Sequence, residues 1–319
     1  MKQFLSVNDV KNVKTLIFKA IKLKKNPFFY KKNKTIGLKN KTIGLVFFNP
    51  SLRTRISSQK AAFNLGCKTW ILNLNSDSWK IETSDGSVMN STQEHLKEAI
   101  GVMSLYCDLL AVRTFPGLLE KEYDYKEILL KKIIKYSKVP VVNLESATLH
   151  PLQSLADLIT IEEFKTKKTI KIVLSWAPHI KALPQSVPNS FIEWVKKIKD
   201  IKLYITNPDG YNLNSDLTFG IKLIPNQKEA FKNADFIYAK NWSSYENYGK
   251  RIFKDLSWTI TKEKMQLTNK AKFMHCLPVR RNLVVEDSVL DDKNSIFLNQ
   301  AENRIFATQI VFLEILENI

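Results

Sequence analysis

Short apolar runs alternate with stretches whose apolar side chains recur at helical spacing, and the alternation continues along nearly the whole chain. That pattern predicts parallel sheets covered by helices. Residues 41–48 (KTIGLVFF) read as a buried strand and 54–65 as the helix after it. Further strands are predicted at 69–74, 109–113 and 139–144, with a helix at 94–105. A helix opening at Pro151 (PLQSLADLITIEEF), where proline suits the first turn, leads into a second alternating set. Its strands are predicted at 171–176, 202–206, 235–240, 272–274 and 295–298, and 302–319 should close the chain as a packed helix. The expected fold class is therefore α/β, with two domains that are each a parallel sheet flanked by helices. Helices near 150 and 302 should join them, dividing the chain into 1–148 plus 303–319 and 149–302.

Composition narrows this picture. A chain of 319 residues, 44% hydrophobic and 11% aromatic, can fill two cores. No apolar run reaches the roughly 18 to 20 residues that cross a bilayer. Residues 1–25 mix lysines with helical apolar spacing and lack the apolar core and cleavage site of a secretory signal, so a cytoplasmic protein is expected. Cys67, Cys107 and Cys276 form no metal-type pair and read as free thiols. The net charge of +18 comes mostly from scattered lysines, as in 22–34 and 196–202. With no basic-aromatic stripe, it reads as a basic surface rather than a nucleic-acid site. The pentapeptide KTIGL at Lys34 and again at Lys41 reads as local duplication or chance. The absence of a G-x-G-x-x-G turn or P-loop argues against dinucleotide or NTP binding.

Three segments carry candidate chemistry. Asn49-Pro50-Ser51-Leu52-Arg53-Thr54-Arg55 stands between a strand and a helix, where backbone N–H groups, hydroxyls and guanidiniums suit a phosphate. In isolation it reads equally as a capped helix with surface arginines. His150-Pro151-Leu152-Gln153 opens a helix, and its His and Gln could both donate to a carbonyl oxygen that gains charge; a capping histidine is the plain alternative. His275-Cys276-Leu277-Pro278-Val279-Arg280-Arg281 follows a short strand, and its cysteine could be a nucleophile, a ligand, a substrate wall or an inert buried thiol. All three fall at predicted C-terminal strand ends, where open α/β sheets bind ligands. Arg113, Lys240 and Arg304 read as strand-end cations on the same edge.

In this order and spacing, SLRTR, HPLQ and HCLPVRR resemble the aspartate/ornithine carbamoyltransferase family over nearly the whole chain. Leu52 departs from the family's usual S-T-R-T-R, and HCLP points to the ornithine side. FFNPSLRTR, Trp79-Lys80-Ile81-Glu82-Thr83, Trp176-Ala177-Pro178-His179 with the segment from Pro184 to Ser190, DFIYAKNW (235–242) and Gln300-Ala301-Glu302-Asn303-Arg304 are similar to the branch acting on N-acylated ornithine. The S-M-G segment of ordinary ornithine carbamoyltransferases is missing. The residue before Glu94-His95-Leu96 tends to be glutamate in acetyl-type and proline in succinyl-type members. Here it is Gln93, which would not repel a succinyl carboxylate, and Asn247-Tyr248-Gly249 also looks closer to the succinyl type.

The resemblance implies transfer of a carbamoyl group from carbamoyl phosphate to the δ-amine of N-succinyl-L-ornithine, giving N-succinyl-L-citrulline and phosphate in arginine biosynthesis. N-acetylornithine and free ornithine are the alternative acceptors, and an inactive nucleic-acid-binding protein is the alternative of another class. The first domain would bind carbamoyl phosphate and the second the acylornithine. Ser51, Leu52, Arg53 and Thr54 would hold phosphate, with Trp79 reaching in from a neighbouring subunit. Arg113, His150 and Arg304 would hold the carbonyl beside Gln153, and Cys276 with Leu277 would border the amine. Arg113, His150, Cys276 and Arg304 form the implied catalytic set; Arg55 would either touch ligand or orient its loop. Glu145, Trp176, Lys240, Arg280 and Gln93 would face the acceptor. A homotrimer with shared sites and a knot in the second domain are also implied, with no metal, cofactor, nucleic acid or membrane.

Overall fold

Two parallel sheets carry the chain, and each changes direction once at a point facing the other. The computed structural model describes residues 1–26, 37–74, 76–252 and 255–319. Strands β1 (Thr42–Phe47), β2 (Lys68–Asn73), β3 (Ile81–Glu82), β4 (Glu94–His95), β5 (Leu109–Arg113) and β6 (Val141–Glu145) occupy the first half. The second half holds β7 (Ile170–Trp176), β8 (Ile201–Thr206), β9 (Lys222–Leu223), β10 (Phe236–Lys240) and β11 (Lys272–Met274). The sheet orders are β2-β1-β5-β6 and β11-β10-β7-β8-β9, all neighbours parallel, while β3 and β4 pair separately.

Every residue of β5, β6 and β10 is buried. Parallel strands covered by helices on both faces need unbroken apolar runs, which is why LLAV and FIYA were legible. In the first sheet the chain leaves β1 for β2 on one side and returns to β5 on the other. In the second it leaves β7 for β8 and returns to β10. Each reversal opens a crevice beyond the carboxyl ends of the strands, and the two crevices share one cleft.

The helices Pro151–Phe164 and Phe297–Leu316 pack along one another behind that cleft. Polar ties between them include Asn303 Nδ2 donating to Thr160 Oγ1 at 2.9 Å and Gln300 Nε2 donating to Asp157 Oδ1 at 2.7 Å. The apolar core runs continuously from Phe4 and Ile43 through Leu155 and Ile310 to Leu174 and Trp242. Among the described residues, no helix is long and apolar enough to cross a membrane.

Some expectations are corrected. Residues 295–298 are not a strand: Ser295 makes a single bridge to Phe273, and the closing helix begins at Phe297. A short apolar run does not separate strand from helix, and here the helical period continues through it. Arg304 is accordingly inside a helix, not at a strand end. The helix expected from 94 starts at Leu96, because Glu94 and His95 pair with Ile81 and Glu82. The second KTIGL forms β1, whereas Lys34, Thr35 and Ile36 of the first lie outside the described residues.

Candidate active site

Loops from both sheets enclose a cavity of about 820 Å³. Its lining includes Ser51, Leu52, Arg53, Thr54, Arg113, Glu145, His150, Gln153, Lys240, Cys276, Leu277, Arg280 and Arg304. Residues spread over some 250 positions of sequence thus meet in one space.

One end is built around the start of the helix Leu52–Asn64. Ser51 sits at its N-cap position but makes no side-chain cap bond, and Ser51, Leu52, Arg53 and Thr54 all line the cavity at the positive end of the helix dipole. Arg113, at the end of β5, fixes this loop from beneath: Nη1 donates to the carbonyls of Asn49 and Pro50, both at 3.1 Å. Its guanidinium also lies over the Phe115 ring, 4.5 Å from the centroid. Arg304 Nη2 donates to Thr54 Oγ1 at 2.6 Å, tying the closing helix to the same loop. Burial lowers Arg53, and it lowers Arg304 to about 10, which leaves Arg304 charged near neutrality. Several cations around one helix start that lacks a side-chain cap suit an anion such as phosphate.

At the rear, Arg113 and Glu145 form a buried ion pair, and Ser186 Oγ donates to Glu145 Oε1 at 2.9 Å. Burial alone would raise the Glu145 carboxyl, but the Arg113 guanidinium and hydrogen bonds from Ser186 and Arg113 hold it below its ordinary value. His150 is 3% exposed, with Nε2 3.9 Å from Glu145 Oε2. Burial, reinforced by Arg304, Arg113 and Arg53, outweighs Glu145 and pushes the imidazole down to about 3. His150 is therefore neutral near pH 7, leaving Arg113 as the charge that holds Glu145. A neutral imidazole carries one N–H, which suits it to donate to an oxygen gaining charge.

The other end presents Lys240 at the tip of β10, with Arg280 at the rim. Arg280 Nε donates to His179 Nε2 at 3.1 Å. The His275 ring accepts from the Leu277 backbone N–H at 2.9 Å, so it shapes the loop instead of facing ligand. Cys276 is buried and its thiol is raised by burial, which keeps it protonated. Among the described residues, no group of three or more His, Cys, Asp or Glu side chains is placed to hold a metal ion.

Not every predicted residue arrives here. Trp176 is in the core, with Nε1 donating to the Trp242 carbonyl at 3.0 Å and its ring 4.8 Å from that of Tyr211, so it does not line the cavity. Trp79 and Gln93 sit together on the projection bearing β3 and β4, outside the cavity of their own chain. Trp79 Nε1 donates to Glu94 Oε2 at 2.8 Å, and Gln93 Oε1 accepts from the Lys80 N–H at 3.2 Å. Arg55 is exposed and likewise outside. Gln153 reaches the wall, but its NH₂ donates to Asp157 Oδ1 at 2.7 Å and its carbonyl accepts from Arg304 at 2.9 Å. Sequence reasoning assigned nothing to Phe115, Asp157 or Ser186; the acid one helical turn after Gln153 was the readable signal for Asp157.

Comparison with known proteins agrees with this geometry. The family model for the aspartate/ornithine carbamoyltransferase carbamoyl-P binding domain matches residues 2–163, and that for the Asp/Orn binding domain matches residues 184–315. An N-succinylornithine carbamoyltransferase of Bacteroides fragilis (strain 638R) is 45% identical over 322 residues, covering 100% of both chains. An N-acetylornithine carbamoyltransferase of Xylella fastidiosa (strain Temecula1) is 37% identical over 289 residues, covering 84% of this chain and 85% of that one. Among solved structures, a variant of N-acetyl-L-ornithine transcarbamylase complexed with carbamyl phosphate and N-succinyl-L-norvaline superposes with a TM-score of 0.89 at 34% identity. That match covers 99% of this chain and 100% of the other. The chain belongs to the aspartate/ornithine carbamoyltransferase family.

Proposed function

We propose that this chain transfers the carbamoyl group of carbamoyl phosphate to the δ-amine of N-succinyl-L-ornithine, releasing N-succinyl-L-citrulline and phosphate. The observation that carries the reading is the pairing, in one cavity, of a cation-ringed helix start with a second set of cations across from it. Carbamoyl phosphate is a small dianion at one end; N-succinylornithine brings two carboxylates, which Lys240 and Arg280 match in charge. Full-length identity of 45% to a relative named for the succinylated acceptor supports that choice.

In this reading Ser51, Leu52, Arg53 and Thr54 hold the phosphate, and Arg113, His150 and Arg304 face the carbonyl oxygen. The neutral δ-amine attacks the carbonyl carbon, forming the C–N bond while the oxygen takes negative charge. Collapse breaks the bond from carbon to the phosphate oxygen, and the amine's surplus proton leaves with phosphate or to solvent. Positioning and electrostatic stabilisation supply the rate. The Cys276 thiol and the Leu277 backbone border the amine.

Several further parts belong to the same proposal. Trp79 and Gln93, outside their own cavity, serve the cavity of a neighbouring subunit in a homotrimer. The chain threads as a knot near 184–190, the first domain (1–148 plus 303–319) takes carbamoyl phosphate, the second (149–302) the acceptor, and the cytoplasm is its place. The test is product formation from carbamoyl phosphate with N-succinylornithine, N-acetylornithine and ornithine supplied separately. The succinylated acceptor should be used with the highest kcat/KM; preference for free ornithine would overturn the acceptor assignment.

A further inference from the structure

Two buried amides flank Asp157, and both are turned the same way. Gln153 lies one helical turn before Asp157, and Gln300 reaches it from the closing helix. Their Nε2 groups each donate to Asp157 Oδ1 at 2.7 Å. All three side chains are at most 1% exposed. An amide has one donor end and one acceptor end, so committing both NH₂ groups to a single carboxylate oxygen turns both carbonyls outward.

Those carbonyls hold opposite halves of the cavity. Gln153 Oε1 accepts from Arg304 Nη1 at 2.9 Å, and Arg304 in turn holds Thr54 on the phosphate side. Gln300 Oε1 accepts from the backbone N–H of His275 at 3.0 Å, where the loop carrying Cys276, Leu277 and Arg280 begins. Guanidinium and backbone N–H are donors only. Reversing either amide would set donor against donor in a dry interior, at the cost of an unmade buried hydrogen bond.

We propose that Asp157 is a positioning residue for both halves of the site, its carboxylate locking Gln153 and Gln300 in the orientation that holds Arg304 against Thr54 and the His275–Arg280 loop in place. Its kinetic consequence rests on the carbamoyl-transfer reading above; the locking itself is a property of the folded chain. Asp157 touches no substrate in this account. Small displacements of reacting groups cost on the order of 100-fold in rate, so the effect should be visible in kinetics.

Four variants separate the links. Gln153→Leu should raise the KM for carbamoyl phosphate, and Gln300→Leu the KM for the acceptor, each with the other KM within about twofold. Asp157→Ala should raise both KM values and lower kcat/KM by about 100-fold at temperatures where it is folded. Asp157→Asn keeps an oxygen acceptor at Oδ1 and should recover most of that loss. A role confined to stability would lower the thermal midpoint of Asp157→Ala and leave both KM values unchanged.

A second readout does not depend on activity. The chain has four histidines, so ¹⁵N-histidine labelling isolates the His275 amide. Its hydrogen exchange should speed at least about tenfold in Asp157→Ala and in Gln300→Leu, with the distant His95 amide unchanged. Wild-type protection of His275 in folded Asp157→Ala overturns the proposal. Should that variant not fold, an unchanged acceptor KM and unchanged His275 exchange in Gln300→Leu overturn it equally. If the wild-type enzyme transfers nothing to any acceptor, the functional reading fails while the exchange result still decides the role of Asp157.

Discussion

Arg113 grips Glu145 Oε2 with two nitrogens, Nε at 3.1 Å and Nη2 at 3.0 Å, both side chains being buried at the rear of the cavity. The same guanidinium spends its third nitrogen on the Asn49 and Pro50 carbonyls. One residue thus links the loop at 49–50 to the buried carboxylate at the rear of the cavity. Removing it leaves a buried carboxylate without its cation, a change that costs roughly 3–5 kcal/mol. Arg113→Met should lose stability of that order in denaturant unfolding, and Glu145→Leu added to it should recover part. A single-variant loss below about 1 kcal/mol would contradict the pairing.

His150 should behave as a neutral donor. His150→Ala is expected to lower kcat by roughly 10²- to 10³-fold, the scale of one oxyanion donor. Its ring resonances should not titrate between pH 5 and 8, because burial holds the group down to about 3. In the unfolded chain the same imidazole takes up a proton near 6.5. Between those values the unfolded state binds more protons, so this group's contribution is fully present above about pH 6.5 and is lost as pH falls toward 3. His150→Gln should therefore flatten the acid side of the stability profile. A ring titration near 6.5 in the folded protein would refute this.

Cys276 should prove to be wall and not nucleophile. Burial raises its thiol, and a protonated thiol attacks poorly. Cys276→Ser is predicted to keep turnover within about two orders of magnitude, whereas losing a true nucleophile costs about 10⁶-fold. No carbamoylated enzyme should accumulate under carbamoyl phosphate alone, which intact-mass measurement checks directly.

At the acceptor end, Lys240→Met should raise the acceptor KM by about 10- to 100-fold, matching one charged hydrogen bond of roughly 1.5–3 kcal/mol. The KM for carbamoyl phosphate should stay within about twofold. Equal damage to both constants would move Lys240 out of the acceptor role.

Much of the framework was legible because parallel strands buried on both faces leave nearly continuous apolar runs, and β5 and β11 begin and end at the predicted bounds 109–113 and 272–274. The three motifs were legible for a related reason: each follows such a run, and the topology sends its end to the common cleft. What escaped was decided by three-dimensional partners. Trp176 at the end of β7 looks like a cavity residue by position, yet Tyr211 and Trp242 claim its ring and N–H. Gln153 reads as facing a ligand alone, whereas Asp157 and Arg304 take one N–H and the carbonyl of its amide. Arg304 reads as a strand-end cation because the apolar triplet 296–298 resembles a strand, whereas the helix already begins at Phe297.

The most direct test is to incubate the purified protein with carbamoyl phosphate labelled in its carbamoyl carbon and with N-succinylornithine, then follow label into acid-stable product. One labelled N-succinylcitrulline should form per phosphate released, with transfer falling at least about 100-fold in His150→Ala. Phosphate release without labelled product, or no turnover accompanied by steeply salt-dependent binding of nucleic acid, would contradict it.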